Sequence, residues 1–223
     1  RKRWEMKVQS ARDLEANPSL YAEAAEILHD GGIVIFPGKS SYRLAVDVLS
    51  AEAVGKLSQS KRRVQNAPAL VFIPRRQALR QIVDQVPRVA EDLMAYFWPG
   101  PLTLRFVPGD GLPTRVIKAI AKANGRIGIR LPVGEVGKGL IEAFGGPILV
   151  SSANRASKAG AQSVAQVRKN FGNVADLLID AGDLPPGEPS TIVDVFEDGW
   201  RMVRESTPTA AEITAKLGFG PLG

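Results

Sequence analysis

Residues 145–157 read GGPILVSSANRAS. The apolar run PILV at 147–150 has the length and β-branched character of a buried strand, and two hydroxyls and an amide follow at once, Ser151, Ser152 and Asn154. Two readings of that junction compete. Ser and Asn satisfy backbone groups where strands end, so the cluster could be punctuation. It could equally be a binding site, because open α/β folds place ligands at the carboxyl edge of the sheet.

Working outward, the neighbouring segments alternate in period. Upstream lie a helical pattern over 136–144 and two strands, RIGIRL at 126–131 and LTLRFV at 102–107. Helical patterns cover 87–96 and 76–83, and the strand ALVFI at 69–73 stops at Pro74. Ser50 is the natural N-cap of AEAVGKLSQSK, IVIF at 33–36 is a short buried strand ended by Pro37, and a helix over 18–29 closes on Gly31 and Gly32. Downstream come a helix over 163–170, three strands (ADLLID, STIVDV and RMVR) and a last helix over 209–217. Three strands with few helices between them break a pure βαβ repeat. The expected fold is therefore α/β, a single-domain open twisted mixed sheet flanked by helices. That domain spans 18–215, with an N-terminal arm over 1–17 and a C-terminal tail over 216–223. DLPPGEP at 183–189 reads as a surface loop.

Composition narrows the chemistry. The chain has no cysteine and one histidine, His29, which excludes thiolate catalysis and argues against a His-based triad or zinc site; the expected metal set is empty. No apolar run approaches the roughly 20 residues that cross a bilayer, and RKRWEMK at the start carries no apolar stretch behind its charges. A cytoplasmic location with no membrane partner is expected. Twenty-nine Lys and Arg against 23 Asp and Glu give a net charge of +6, which favours anionic partners such as nucleotides or RNA. GxxxxGK(S/T) is absent, which excludes the ordinary P-loop, and the glycine spacing near 31 is not a dinucleotide fingerprint.

Polar or basic residues gather just past four apolar segments. These are Lys39, Ser40 and Ser41 after IVIF; Lys61, Arg62 and Arg63 before ALVFI; Arg130 at the end of RIGIRL; and Ser152 with Asn154 after PILV. Each has an ordinary structural explanation, a helix C-terminal charge or a cap. Their order along the chain carries more. The stretches PGKSSYRL (37–44), KRRVQNAPAL (61–70), WPGPLT (98–103), RLP (130–132), SSANRAS (151–157), PSTIVD (189–194) and MVR (202–204) together resemble the YrdC/Sua5 family of threonylcarbamoyl-AMP synthases, over about residues 18–215.

The resemblance implies a YrdC-like fold with a basic concave cavity. It also implies a nucleotidyltransferase that condenses L-threonine, bicarbonate and ATP, the last carrying Mg²⁺ on its phosphates, to threonylcarbamoyl-adenylate and pyrophosphate. Proteins of the t6A transfer system would then pass the group to tRNA. On the matching positions Lys61, Arg63, Ser152 and Asn154 are expected to be catalytic; Lys61, Arg63, Asn154, Ser163 and Arg204 to bind ATP; and Arg130, Ser152 and Ser190 to bind the amino acid. A bidentate guanidinium suits carboxylate or phosphate, and no nucleophilic side chain is required because the carbamate supplies the attacking oxygen.

Departures fall mostly around the amino-acid pocket. The family's PT(D/E)TVYGL has become PGKSSYRL, with Gly38 for threonine, Lys39 for the acid and Arg43 for glycine. Ala67 and Phe72 stand where many members have asparagine and histidine, Ala156-Ser157 replaces Ser-Gly, and Glu205-Ser206 follows the late arginine. Two alternatives therefore accompany the first reading. One is a divergent paralogue acting on another amino acid or carbamate. The other is a non-catalytic protein binding double-stranded RNA or tRNA, with Lys39 and Arg43 as added phosphate contacts.

Overall fold

The computed structural model describes residues 5–61, 69–121, 124–154 and 161–223. Ten strands follow one another as β1 (Lys7–Ser10), β2 (Val34–Pro37), β3 (Tyr42–Asp47), β4 (Ala69–Phe72), β5 (Leu102–Phe106), β6 (Ile127–Arg130), β7 (Ile148–Ser152), β8 (Leu177–Asp180), β9 (Thr191–Phe196) and β10 (Gly199–Arg204). Between them run α1 (Ala11–Ala16), α2 (Tyr21–His29), α3 (Ala51–Ser60), α4 (Arg88–Phe97), α5 (Thr114–Ile120), α6 (Glu135–Phe144), α7 (Val164–Phe171) and α8 (Ala210–Leu217), with 3₁₀ turns at Pro18–Leu20 and Arg76–Gln81. All ten strands join one open, twisted mixed sheet in the order β1-β8-β2-β3-β7-β4-β6-β5-β9-β10.

Period-two alternation divides the apolar residues between two cores. Tyr42, Leu44 and Val46 of β3, Val71 of β4 and Leu149 of β7 face one side, where α3, α4, α5, α7 and α8 contribute to the larger core. Val34, Phe36, Phe72, Ile148, Val150, Leu177 and Ile179 face the other, packed by α1, α2 and α6. Helix starts follow their side chains. Ser50 accepts from the Ala53 amide as expected, and Thr209 with Glu212 closes a capping box on α8.

The junction at Ser151 is settled by its neighbours. β7 continues through both serines, since β3 pairs on one side (Arg43 with Ser152, Leu44 with Ser151) and β4 on the other (Ala69 with Ser151). A strand flanked on both sides already has its backbone satisfied, so these hydroxyls are not needed as punctuation.

The structure differs from the sequence reading in five places. β3 was not expected, because Arg43 and Asp47 interrupt its apolar run; the alternate residues Tyr42, Leu44 and Val46 are nonetheless fully buried. Residues 7–16, expected as part of an arm, supply an edge strand parallel to β8 and the buried Ala11 and Leu14 of α1. α5 was also absent from that reading, and the pattern at 76–83 is a 3₁₀ turn. The last residues fold back, with the Leu222 amide donating to the Trp200 carbonyl at 2.7 Å. Arg62, Arg63, Ala67 and the 155–157 stretch lie outside the described residues.

Candidate functional site

On the face packed by α1, α2 and α6, the second core reaches β4 at Phe72 and includes nothing from β5, β6 or β9. Beyond it the same alternation presents Gly128 and Arg130 of β6, Thr103 and Arg105 of β5, and Ile192 of β9 to a cavity of about 470 Å³. Glycine at 128 leaves the floor of the cavity low, where a side chain would crowd its neighbours. A Cβ there would stand 3.1 Å from Thr103 Cγ2 and 3.6 Å from Leu70 Cδ1. The far wall comes from the loop between β8 and β9, whose 183–189 stretch the sequence marks only as surface. Tyr42 pins that loop, its hydroxyl donating to the Gly182 carbonyl at 2.7 Å and accepting from the Ala181 amide at 2.9 Å.

Three guanidiniums face this space without an acidic partner. Arg130 is 6% exposed and its Nε has no hydrogen-bond partner. Its guanidinium carbon lies 5.2 Å from the centre of the Phe72 ring, and that of Arg43 lies 5.5 Å from the same ring. Arg204 is anchored from β10 by Nε and Nη2, which donate to the Ser190 carbonyl at 3.2 and 2.7 Å. Among the described residues none of the three is ion-paired. Burial, then Arg43 and Arg204, push Arg130 down to about 9; burial and then Arg204 push Arg43 down to about 10. Each result is what a cation held out of water among like charges must show. Arg105 stands apart, because Asp194 grips it through Nε at 2.5 Å and Nη2 at 3.0 Å.

Of the residues expected from the sequence, Arg130, Ser152, Asn154, Ser190 and Arg204 line this one cavity. Ser190 Oγ is 3.1 Å from Thr103 Oγ1. Lys61 does not line it. Its ammonium, at the C-terminus of α3, donates to the carbonyls of Ser152 and Asn154 and so ties the end of β7 in place. Ser163 also stays outside the lining, where its hydroxyl caps α7 by accepting from the Gln166 amide at 3.3 Å. Arg63 lies outside the described residues. Sequence reasoning missed Thr103 and Arg105, although both stand in the LTLRFV strand, where alternation from Leu102 could have placed them on one face. It also took Arg43 only as a departure or an RNA contact.

Burial lowers the Lys61 ammonium from 10.5 to about 8. Between those values the unfolded chain holds a proton that the folded chain has released, so raising the pH across that window stabilises the fold through this group. Denaturation of the wild type and Lys61→Met between about pH 7.5 and about pH 10 is expected to show the wild type gaining relative to the variant. A constant difference would mean that the ammonium is solvated.

Among the described residues no group of three His, Asp or Glu is placed to hold a metal ion, and no helix is long and apolar enough to cross a membrane. The family model Sua5/YciO/YrdC, described as telomere recombination, matches residues 26–206. A threonylcarbamoyl-AMP synthase of Pyrococcus abyssi is 30% identical over 174 residues, covering 78% of this chain and 50% of that protein. Its counterpart in Bacillus subtilis is 29% identical over 219 residues, covering 97% and 61%. The chain thus spans about half to three fifths of the length of these relatives. A protein of Mycobacterium leprae named as a putative threonylcarbamoyl-AMP synthase is 30% identical over 200 residues, covering 90% and 89%. Among solved structures, P. abyssi Sua5 complexed with L-threonine superposes with a TM-score of 0.81 at 26% identity, covering 98% of this chain and 62% of that one.

Proposed function

The chain belongs to the Sua5/YciO/YrdC family, and from that premise we propose that it is a carbamoyl-adenylate synthase of the threonylcarbamoyl-AMP synthase type. The amino group of an amino acid, L-threonine in the relatives' names, condenses with bicarbonate to a carbamate and water. A carbamate oxygen then attacks the α-phosphorus of ATP, which arrives with its Mg²⁺, and pyrophosphate leaves. Transfer to tRNA by proteins of the t6A system would follow when the amino acid is threonine.

One observation carries this reading: unpaired guanidiniums from β6 and β10 meet Ser152 and Asn154 of the SSAN segment in one cavity. Arg130 takes the amino-acid carboxylate, deep in the cavity where a charge-assisted pair is strongest. Arg204 takes nucleotide phosphate, with Ser190 steering it from behind. Ser152 and Asn154 sit between the two substrates, and Lys61 acts as a positioning residue by holding their carbonyls. Arg63 is assigned to the phosphates by its place in the motif alone, and Ser163 to the ATP end through its position beside Gln162, which does line the cavity.

The test is pyrophosphate release in the presence of ATP, Mg²⁺, bicarbonate and an amino acid. Release that needs all four supports the proposal; none with any amino acid overturns it. Arg204→Ala is expected to weaken ATP binding roughly tenfold, the worth of one hydrogen bond to a charged group. An unchanged dissociation constant would remove Arg204 from the nucleotide site. Salt-sensitive RNA binding without pyrophosphate release would favour the RNA-binding reading instead.

A further inference from the structure

The proposed reaction assigns one anion to Arg130 and one to Arg204, and leaves Arg43 over. Its position is specific. Arg43 shares the Phe72 ring with Arg130, their guanidinium carbons 5.5 and 5.2 Å from its centre, and Phe36 holds that ring edge-on at 6.4 Å. Arg43 thus shares the Phe72 end of the cavity with Arg130 while staying within electrostatic reach of Arg204, which is tied to Ser190 on the β9 side. Among the described residues no carboxylate pairs with Arg43, and the roles proposed above assign it no anion. The carboxylate on the cavity wall, Glu188, is exposed on the loop and makes no ion pair with it. A half-buried cation beside a second, fully enclosed cation is costly unless an anion joins them.

A second feature at the same end points the same way. A Cβ on Gly38 would stand 2.9 Å from the Ser41 carbonyl and 3.5 Å from Arg43 Nε. The space in which a side chain at 38 could offer a hydroxyl is therefore crowded by backbone and by the Arg43 stem. Here the pocket presents a cation where it could have presented a neutral hydrogen-bonding group.

We propose that the amino-acid end of this cavity takes an amino acid with an anionic side chain, its α-carboxylate on Arg130 and its side-chain carboxylate on Arg43. This rests on the carbamoyl-adenylate synthase reading and narrows it to a dicarboxylic amino acid. Two guanidiniums over one aromatic ring set two anion positions within one small molecule, and a neutral side chain would leave the half-buried Arg43 without an assigned anion in the complex.

The experiment uses the wild-type chain and Arg43→Met, which keeps an unbranched stem against Phe72. Pyrophosphate release is measured with L-threonine, L-aspartate and L-glutamate, and binding of the same three is measured by calorimetry without ATP. The wild type is expected to prefer aspartate or glutamate over threonine by about tenfold or more, the worth of a charge-assisted pair. Arg43→Met should erase that preference, weakening aspartate and glutamate far more than threonine. Preferential release with threonine by the wild type overturns this inference and leaves the proposed reaction standing. Tenfold tighter binding of aspartate or glutamate with no release from any amino acid does the reverse. Absence of both binding and release for all three overturns both, and the wild-type comparison decides even if the variant fails to fold.

Discussion

Arg130→Met is expected to lower kcat/KM for the amino acid by about a hundredfold or more while making the ligand-free protein more stable. The two effects share one cause. Arg130 is almost wholly enclosed, its Nε lacks a partner, and two further guanidiniums push on it. Without ligand this is an uncompensated buried charge, and replacing such a charge with an apolar side chain of similar length stabilises by about 1–4 kcal/mol. For a chain of this size that is roughly 5 °C in Tm. With ligand the same features become the site, because a desolvated, pre-placed guanidinium loses little on gripping a carboxylate. The pH dependence has a definite sign. Burial and the neighbouring guanidiniums push Arg130 down to about 9 in the fold, well below its ordinary value in the unfolded chain, so its cost is full below 9 and fades above it. The stability advantage of the variant should shrink as the pH rises past 9. A variant less stable than the wild type at neutral pH would show that Arg130 is already paired in the ligand-free protein.

The parts of the molecule legible in the sequence were those set by a short, unambiguous period. ALVFI, PILV and RIGIRL announce buried strands, Ser50 announces a helix, and WPGPLT and SSAN announce a family. β3 was hidden because its second face must carry Arg43 into the cavity, which breaks the apolar run that marks a strand. β1 was hidden because an edge strand paired on one side can stay polar, as Lys7 and Gln9 do. The site was half legible for a related reason. Motif residues such as Arg130 and Asn154 could be placed by resemblance, but whether a cation is free depends on partners remote in sequence. Arg105 and Arg130 look alike in LTLRFV and RIGIRL, yet Asp194 lies 89 residues beyond the first and neutralises it, while the second has no such partner. Lys61 shows the converse, a motif lysine whose ammonium is occupied by two backbone carbonyls.

That contrast gives Asp194→Asn an expected effect opposite in sign to that of Arg130→Met. Asp194 is 3% exposed and accepts from Arg105 Nε and Nη2 and from Asn124 Nδ2 at 3.1 Å. Its charge also supports Arg126, whose guanidinium burial, Arg105 and Arg201 all disfavour. Asparagine keeps the shape but leaves three arginines around a neutral amide. Removing one partner of a buried pair costs about 3–5 kcal/mol, so Tm should fall by roughly 10 °C. The loss should be largely absent from Asp194→Asn with Arg105→Met, since that pair of changes removes the stranded charge together with its partner. Thermal denaturation of the two single variants and the double variant measures this coupling directly. If the double variant is as unstable as the sum of the singles, the two residues act independently and the cavity floor does not rest on their ion pair. If stability returns, Arg105 is a strut of the sheet, and anion binding in the cavity falls to Arg43, Arg130 and Arg204.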